Sequence, residues 1–143
     1  MARHRVFLAD DHAPLVDLFK RLLEPEFEIV GIAFDGSQLL ADAPQAQPDV
    51  VIVDLSLLLL NGMEAGNELK KLLPHTKILV VTVNEDSAVA SKALSEWASG
   101  YLLKKYAGVE LIHAIKELLN GRDYLTPTMV RKLNDGSSPH SGR

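Results

Sequence analysis

Pro48-Asp49-Val50-Val51-Ile52-Val53-Asp54 reads as one strand with a carboxylate at its exit, and the fold turns on it. Continuous aliphatics without polar alternation mark a strand covered on both faces, as in a parallel sheet packed between helices. Similar runs recur on either side: 5–9 upstream, then 27–33, 78–83 and 101–104. Helical patterns fill the intervals. Strand-like runs alternating with helices predict stacked β–α units, right-handed crossovers and a three-layer α/β sandwich.

The helices can be placed from their punctuation. Pro14 suits a first turn, and Leu15, Leu18, Phe19, Leu22 and Leu23 then share one face. Gly36-Ser37 offers a turn and cap for a short second helix through Leu39, Leu40 and Ala43. A third helix is expected over 62–72, stopped by Pro74, a fourth over 87–97, and a fifth through Leu111, Ile115 and Leu118, stopped by Asn120-Gly121. Thr126-Pro127 caps a short sixth helix over 128–133. From Asn134 the polar, Gly- and Ser-containing sequence reads as linker or tail.

Bulk properties exclude several classes. The chain has 143 residues, 47% of them hydrophobic and 24% charged, enough for one domain with a real core. It has no cysteine, which excludes disulfides and thiolate metal sites and fits a reducing, cytoplasmic setting. No apolar stretch approaches the ~20 residues of a membrane helix. A net charge of −4 argues against nucleic-acid binding through the bulk field of this domain.

The chemistry gathers at the strand exits. Asp10 and Asp11 close the first run and Asp54 the third; Thr82 falls late in the fourth, and Lys104 ends the last. Open parallel sheets bind ligands just beyond the carboxyl ends of their strands, so these five side chains should converge. Three convergent carboxylates repel unless a cation lies between them. All-oxygen ligands favour Mg²⁺ or Mn²⁺ over zinc. With such an ion, one carboxylate can accept a phosphoryl group as an aspartyl phosphate, the metal and an ammonium neutralising the transferring charge. Taken singly, each residue has a plainer reading, since acids at strand ends cap helices and threonine suits strands. Five at matching exits are hard to assign to chance.

As a set, Ala9-Asp10-Asp11-His12, Pro48-Asp49-Val50-Val51-Ile52-Val53-Asp54-Leu55, Asn61-Gly62-Met63-Glu64, the Thr82 strand and Gly100-Tyr101-Leu102-Leu103-Lys104 resemble the response-regulator receiver domain over residues 4–121. The resemblance implies a flavodoxin-like fold with five parallel strands in the order 2-1-3-4-5. It implies that a partner histidine kinase donates a phosphoryl group to Asp54. Asp11 and Asp54 would hold Mg²⁺ directly, Asp10 through water, and Ser56 through its backbone carbonyl. Thr82 and Lys104 would read the phosphoryl group, and Tyr101 would be an aromatic switch that turns inward. Ser56 and Asn84 would tune aspartyl-phosphate lifetime. Such a domain is a switch rather than an enzyme. Its expected output is a change in the fourth helix–fifth strand–fifth helix face that controls homodimerisation.

Gly-Tyr-Leu-Leu-Lys at 100–104, with Gly121-Arg122-Asp123-Tyr124-Leu125-Thr126-Pro127, resembles regulators carrying a LuxR/NarL-type helix-turn-helix output domain. No such domain is expected within 122–143, so DNA would be met only through a domain outside this chain. The chain would then be either an excised receiver with the beginning of its linker or a single-domain regulator, and the ending at 137–143 reads more as a cut linker.

Two places depart from the family pattern. Leu57-Leu58-Leu59-Leu60 replaces a stiff methionine–proline loop; Leu58 restores a backbone N–H where proline is usual. The helix that follows would start earlier, or the loop would be looser, and at least one leucine should be exposed as a partner patch or a sticky accident. Trp97 stands where glycine is favoured; a lone tryptophan is more often packing than recognition, though this loop borders the expected dimer face. Lys105 replaces a proline or acid, and the choice of Lys104 over it rests on the Gly-Tyr-Leu-Leu-Lys match. A phosphorylation-independent interaction module built on the leucine patch is the alternative function. An aspartyl phosphohydrolase of the haloacid-dehalogenase type needs an acid two residues after the nucleophile, where Ser56 stands. A metal-free flavodoxin-like ligand binder would have no use for three acids.

Overall fold

The computed structural model describes residues 3–61 and 64–135. Five strands form where the apolar runs place them: β1 Arg5–Ala9, β2 Glu28–Ala33, β3 Val50–Asp54, β4 Lys77–Thr82 and β5 Gly100–Leu103. A sixth, β6, spans only Tyr124–Leu125. The sheet is parallel throughout, in the order β2-β1-β3-β4-β5-β6. The expected five-strand order is therefore present, with one strand added at the β5 edge.

Strand residues alternate between two cores, because successive side chains leave a strand on opposite faces. Val6, Leu8, Val50, Ile52, Leu79, Val81 and Leu102 meet helices α1 Ala13–Leu23 and α5 Ala107–Leu119 through Phe19, Leu23, Leu111 and Ile115. Phe7, Val51, Val53, Ile78, Val80, Tyr101 and Leu103 face the other way. They meet α2 Gly36–Ala46, α3 Glu64–Leu72 and α4 Ser87–Glu96 through Leu39, Leu69, Ala90 and Ala93. The last helix, α6 Pro127–Asp135, joins this second layer by burying Met129 completely. Each fully buried aliphatic or methionine side chain contributes about 1.5–3 kcal/mol relative to an exposed one. This double coverage is why the strands read as unbroken apolar runs.

Several boundaries differ from the sequence expectation. The α2 helix is a full 11 residues and is capped by Asp35, whose carboxylate accepts the Gln38 N–H at 2.7 Å; Gly36 lies inside it. Its end is fixed by Gln47 in the left-handed region at φ 49°. The segment after Asp54 is helical, a 3-10 helix over Leu55–Asn61 that precedes α3. Leu57 and Leu58 are buried against the second layer rather than exposed. The side chains of Leu59 and Leu60, like Gly62 and Met63 of the quoted motif, lie outside the described residues. Trp97 is 3% exposed rather than part of a free surface, with its indole against Gly66 of α3. A Cβ added at Gly66 would stand 2.3 Å from the indole, so only glycine admits this packing.

Residues 122–135 pack onto the same body. Tyr124 pairs with Gly100 and Leu125 with Tyr101, so β6 covers the edge of β5. The α6 helix packs against α4. The fourth helix–fifth strand part of the expected switch face thus carries the chain's own C-terminal segment.

A candidate acidic phosphoryl site at the strand exits

Beyond the ends of β1, β3 and β5 the backbone delivers Asp10, Asp54 and Lys104 to one point. Asp10 and Asp54 are 4% and 7% exposed, unusually deep for carboxylates. Lys104 explains how they stay there. Its ammonium lies 3.0 Å from Asp10 Oδ2 and 3.1 Å from Asp54 Oδ2. Burial pulls the Lys104 pKa down, but its hydrogen bonds to Asp10 and Asp54 and their charges outweigh that effect. The group is held above the ordinary lysine value. The neighbouring Lys105 points elsewhere, pairing with Glu85 at 3.0 Å on the surface. Adjacent lysines are separated here by geometry.

The remaining carboxylate atoms are held locally. Asp10 Oδ1 accepts the His12 N–H at 2.9 Å, at the start of α1. Asp54 Oδ1 accepts the Ser56 N–H at 3.2 Å, and Oδ2 accepts the Ser56 hydroxyl at 2.9 Å. That hydroxyl contact was missed in the sequence, which suggested Ser56 only through its carbonyl and a lifetime effect. The two-residue spacing from Asp54, typical of a side chain closing on the following backbone, was the available signal.

Asp11 completes the cluster from the exposed side. Ligand atoms of Asp10, Asp11 and Asp54 all lie within 4.8 Å of one another, the group of metal-competent side chains among the described residues. Two unit charges at that distance repel by about 3 kcal/mol at an effective dielectric of 20. Lys104 compensates one of three negative charges. The donor set is oxygen only, which suits a hard divalent cation.

Thr82 and Asn84 form the opposite wall, with Tyr101 behind it. Thr82 is buried, and its hydroxyl accepts the Asn84 N–H at 3.1 Å. Asn84 Oδ1 accepts the Asp86 N–H at 2.8 Å, and Asp86 in turn caps α4. Tyr101 is fully buried, its ring turned inward, and its hydroxyl donates to the Asn84 carbonyl at 2.8 Å. Burial, then the nearby Asp86 charge, pushes its phenol up to about 12. Asp54, Ser56, Thr82, Asn84 and Lys104 line an open cleft of about 210 Å³ beside the acids. Asp10, Asp11, Asp54, Ser56 and Lys104 gather at one point, Thr82 and Asn84 line the cleft beside them, and Tyr101 is connected through the Asn84 carbonyl. The arrangement can hold a divalent cation and present one carboxylate, an ammonium and a hydroxyl to a small anionic group.

Comparison with known proteins agrees with this geometry. The response regulator receiver domain family matches residues 6–116. The transcriptional regulatory protein DegU of Brevibacillus brevis is 34% identical over 131 residues, covering 90% of this chain and 56% of that protein. The chain thus spans little more than half the length of that relative. A LuxR-family two-component response regulator from Aurantimonas has a crystal structure with TM-score 0.87 at 30% identity, covering 95% of this chain and 99% of the other. The isolated receiver domain of RcsB from Salmonella enterica, solved with the phosphomimetic BeF3−, gives TM-score 0.82 at 27% identity, covering 90% and 97%.

Proposed function

The chain belongs to the response regulator receiver domain family, with relatives of the LuxR/NarL type, and from that premise we propose that it is a Mg²⁺-dependent phosphoryl acceptor. The observation that carries the reading is the buried Asp10–Lys104–Asp54 bridge with Asp11 beside it. Two buried carboxylates with a third, exposed one beside them need positive charge, and one lysine does not supply enough for all three.

Asp54 is the acceptor. One of its carboxylate oxygens forms a bond to phosphorus as the P–N bond of a kinase phosphohistidine breaks, and the leaving imidazole takes up a proton. Asp10, Asp11, Asp54 and the Ser56 carbonyl would hold Mg²⁺ (or Mn²⁺), which when bound neutralises charge on the transferring group. Lys104 Nζ, already on Asp54 Oδ2, is placed to follow the new charge onto a phosphoryl oxygen. Thr82 offers a hydroxyl from the other wall, and its movement is linked to Tyr101 through Asn84. Ser56 and Asn84 border the same cleft, where they would limit or admit the hydrolytic water that sets lifetime.

The reading makes the domain a switch in a two-component system rather than an enzyme. Its donor is a sensor histidine kinase, its activated state a homodimer, and its output transcription through a LuxR/NarL-type DNA-binding domain. A cytoplasmic location follows from the same reading. Among the described residues no helix is long and apolar enough to cross a membrane. The leucine-patch interaction module could draw only on Leu59 and Leu60, whose side chains lie outside the described residues, because Leu57 and Leu58 lie in the core.

Incubation with acetyl phosphate and Mg²⁺, followed by intact mass, tests the proposal. One phosphoryl adduct, absent when the metal is chelated, is expected. An unmodified mass, together with no binding of beryllofluoride–Mg²⁺ by the folded protein, would reject it.

A further inference from the structure

Thr126 joins β5 to α6 through Tyr101 and Leu103. It is completely buried. Its N–H donates to the Tyr101 carbonyl at 3.0 Å, and its hydroxyl accepts the Leu103 N–H at 2.9 Å. Leu103 directly precedes Lys104. Its N–H, at the edge of the sheet where β6 has already ended, has the Thr126 hydroxyl as its acceptor. Thr126 also starts α6, its carbonyl accepting the N–H groups of Met129 and Val130 at 2.8 and 3.1 Å. One residue therefore contacts the strand carrying the aromatic ring and the site lysine, and begins the helix that leads out of the domain. Met129 of α6 lies in the same buried cluster as Tyr101 and Leu103.

We infer that Thr126 is a positioning residue that couples the inward state of Tyr101 to docking of α6 against α4. The inference rests on the switch reading above. The structure combines an inward Tyr101, tied to Asn84, with a docked α6. A ligand that favours the inward ring must then favour the docked helix, and docking must strengthen ligand binding by the same factor. The C-terminal segment is in this view the moving part through which the site is read. The receiver's working boundary lies beyond 121, at the end of α6.

Hydrogen exchange on the full chain, with and without beryllofluoride–Mg²⁺, tests the coupling. Slower exchange in peptides covering 54–58 and 82–86 reports loading of the site. With loading, wild type should also slow exchange over 127–135, by a factor on the order of 5–150. Thr126→Val keeps the shape but leaves the Leu103 N–H buried and unpaired. It should lose most of that response and bind beryllofluoride–Mg²⁺ more weakly by a similar factor, with Thr126→Ser restoring both. A merely structural threonine would loosen α6 equally in both states and leave the affinity unchanged. Loading that protects 54–58 yet leaves 127–135 unchanged in wild type overturns the inference while sparing the switch reading. If 54–58 shows no protection, the switch reading itself fails, and the coupling with it. Should the valine variant not fold, the wild-type comparison alone decides.

Discussion

Strand β3 has a carboxylate at each end, and the two have different fates. At the entry, Asp49 is spent on backbone. Its Oδ2 accepts the Arg5 N–H at 2.7 Å, its own N–H donates to the Arg5 carbonyl at 2.8 Å, and its carbonyl accepts the Lys77 N–H at 3.0 Å. Nearby, the Thr76 hydroxyl closes on the Pro48 carbonyl at 2.8 Å. Asp49 stitches the starts of β1, β3 and β4 together. At the exit, Asp54 meets a lysine tip, a serine hydroxyl and two further acids. Those partners can exchange for a ligand without unravelling a strand. The residue type does not distinguish a clamp from an acceptor; the replaceability of its partners does.

The sharpest way to break the contrast is to neutralise each acid. Asp54→Asn should abolish the phosphoryl adduct seen by intact mass, whereas Asp49→Asn, whose amide oxygen can still accept from Arg5, should leave it intact. Equal loss in both would erase the distinction. Next in size is Lys104→Met, which removes a charged donor from two buried carboxylates. Hydrogen bonds to charged groups contribute about 1.5–3 kcal/mol, so adduct formation should slow by roughly 10–100-fold. The variant should also melt lower without metal and recover more than wild type on adding Mg²⁺, because the ion replaces the lost positive charge. A melting point indifferent to Mg²⁺ in both proteins would count against the metal site.

Stability effects sharpen the other half. Asp49→Ala strands the Arg5 N–H and should cost about 1–3 kcal/mol in denaturant unfolding, with phosphorylation preserved. Gly66→Ala should cost a similar amount, about 1–3 kcal/mol, by overpacking the indole of Trp97, and should shift its fluorescence. The smallest effect is a pH dependence. Burial, then the Asp86 charge, pushes the Tyr101 phenol up to about 12 in the fold, above an unfolded value near 10. The folded state then holds the proton more tightly, so this contribution is complete below about pH 10 and is lost as pH rises through about 12. Phenolate absorbance of wild type minus Tyr101→Phe should show the late titration; a difference centred near 10 would mean that the ring is not held inside.

Much of this was legible in the sequence because burial on both faces leaves an unmistakable apolar run, and because a parallel sheet lines up its strand exits. Five strands, the acids and Thr82 follow from those two facts; the choice of Lys104 over the adjacent Lys105 rests on the family resemblance of Gly-Tyr-Leu-Leu-Lys. Other features had no periodic signal to carry them. β6 is two residues long, too short for alternation, and forms only because β5 offers an open edge beside it. Leu57 and Leu58 read as excess hydrophobicity, yet a 3-10 turn rotates both into the core. A lone tryptophan is more often packing than recognition, and Trp97 packs; its partner is illegible, since nothing in sequence links it to Gly66 across 31 residues. Thr126 was recognised as a cap but not as an acceptor for β5, a contact made only in three dimensions.

Locating the phosphoryl group is the most direct test that the exit of β3, and not its entry, carries the chemistry. After reaction with acetyl phosphate and Mg²⁺, borohydride reduction converts an aspartyl phosphate to homoserine, which peptide mass spectrometry can place. Homoserine at position 54 alone is the predicted result. Homoserine at Asp49, Asp10 or Asp11, with Asp54 unmodified, would contradict the account.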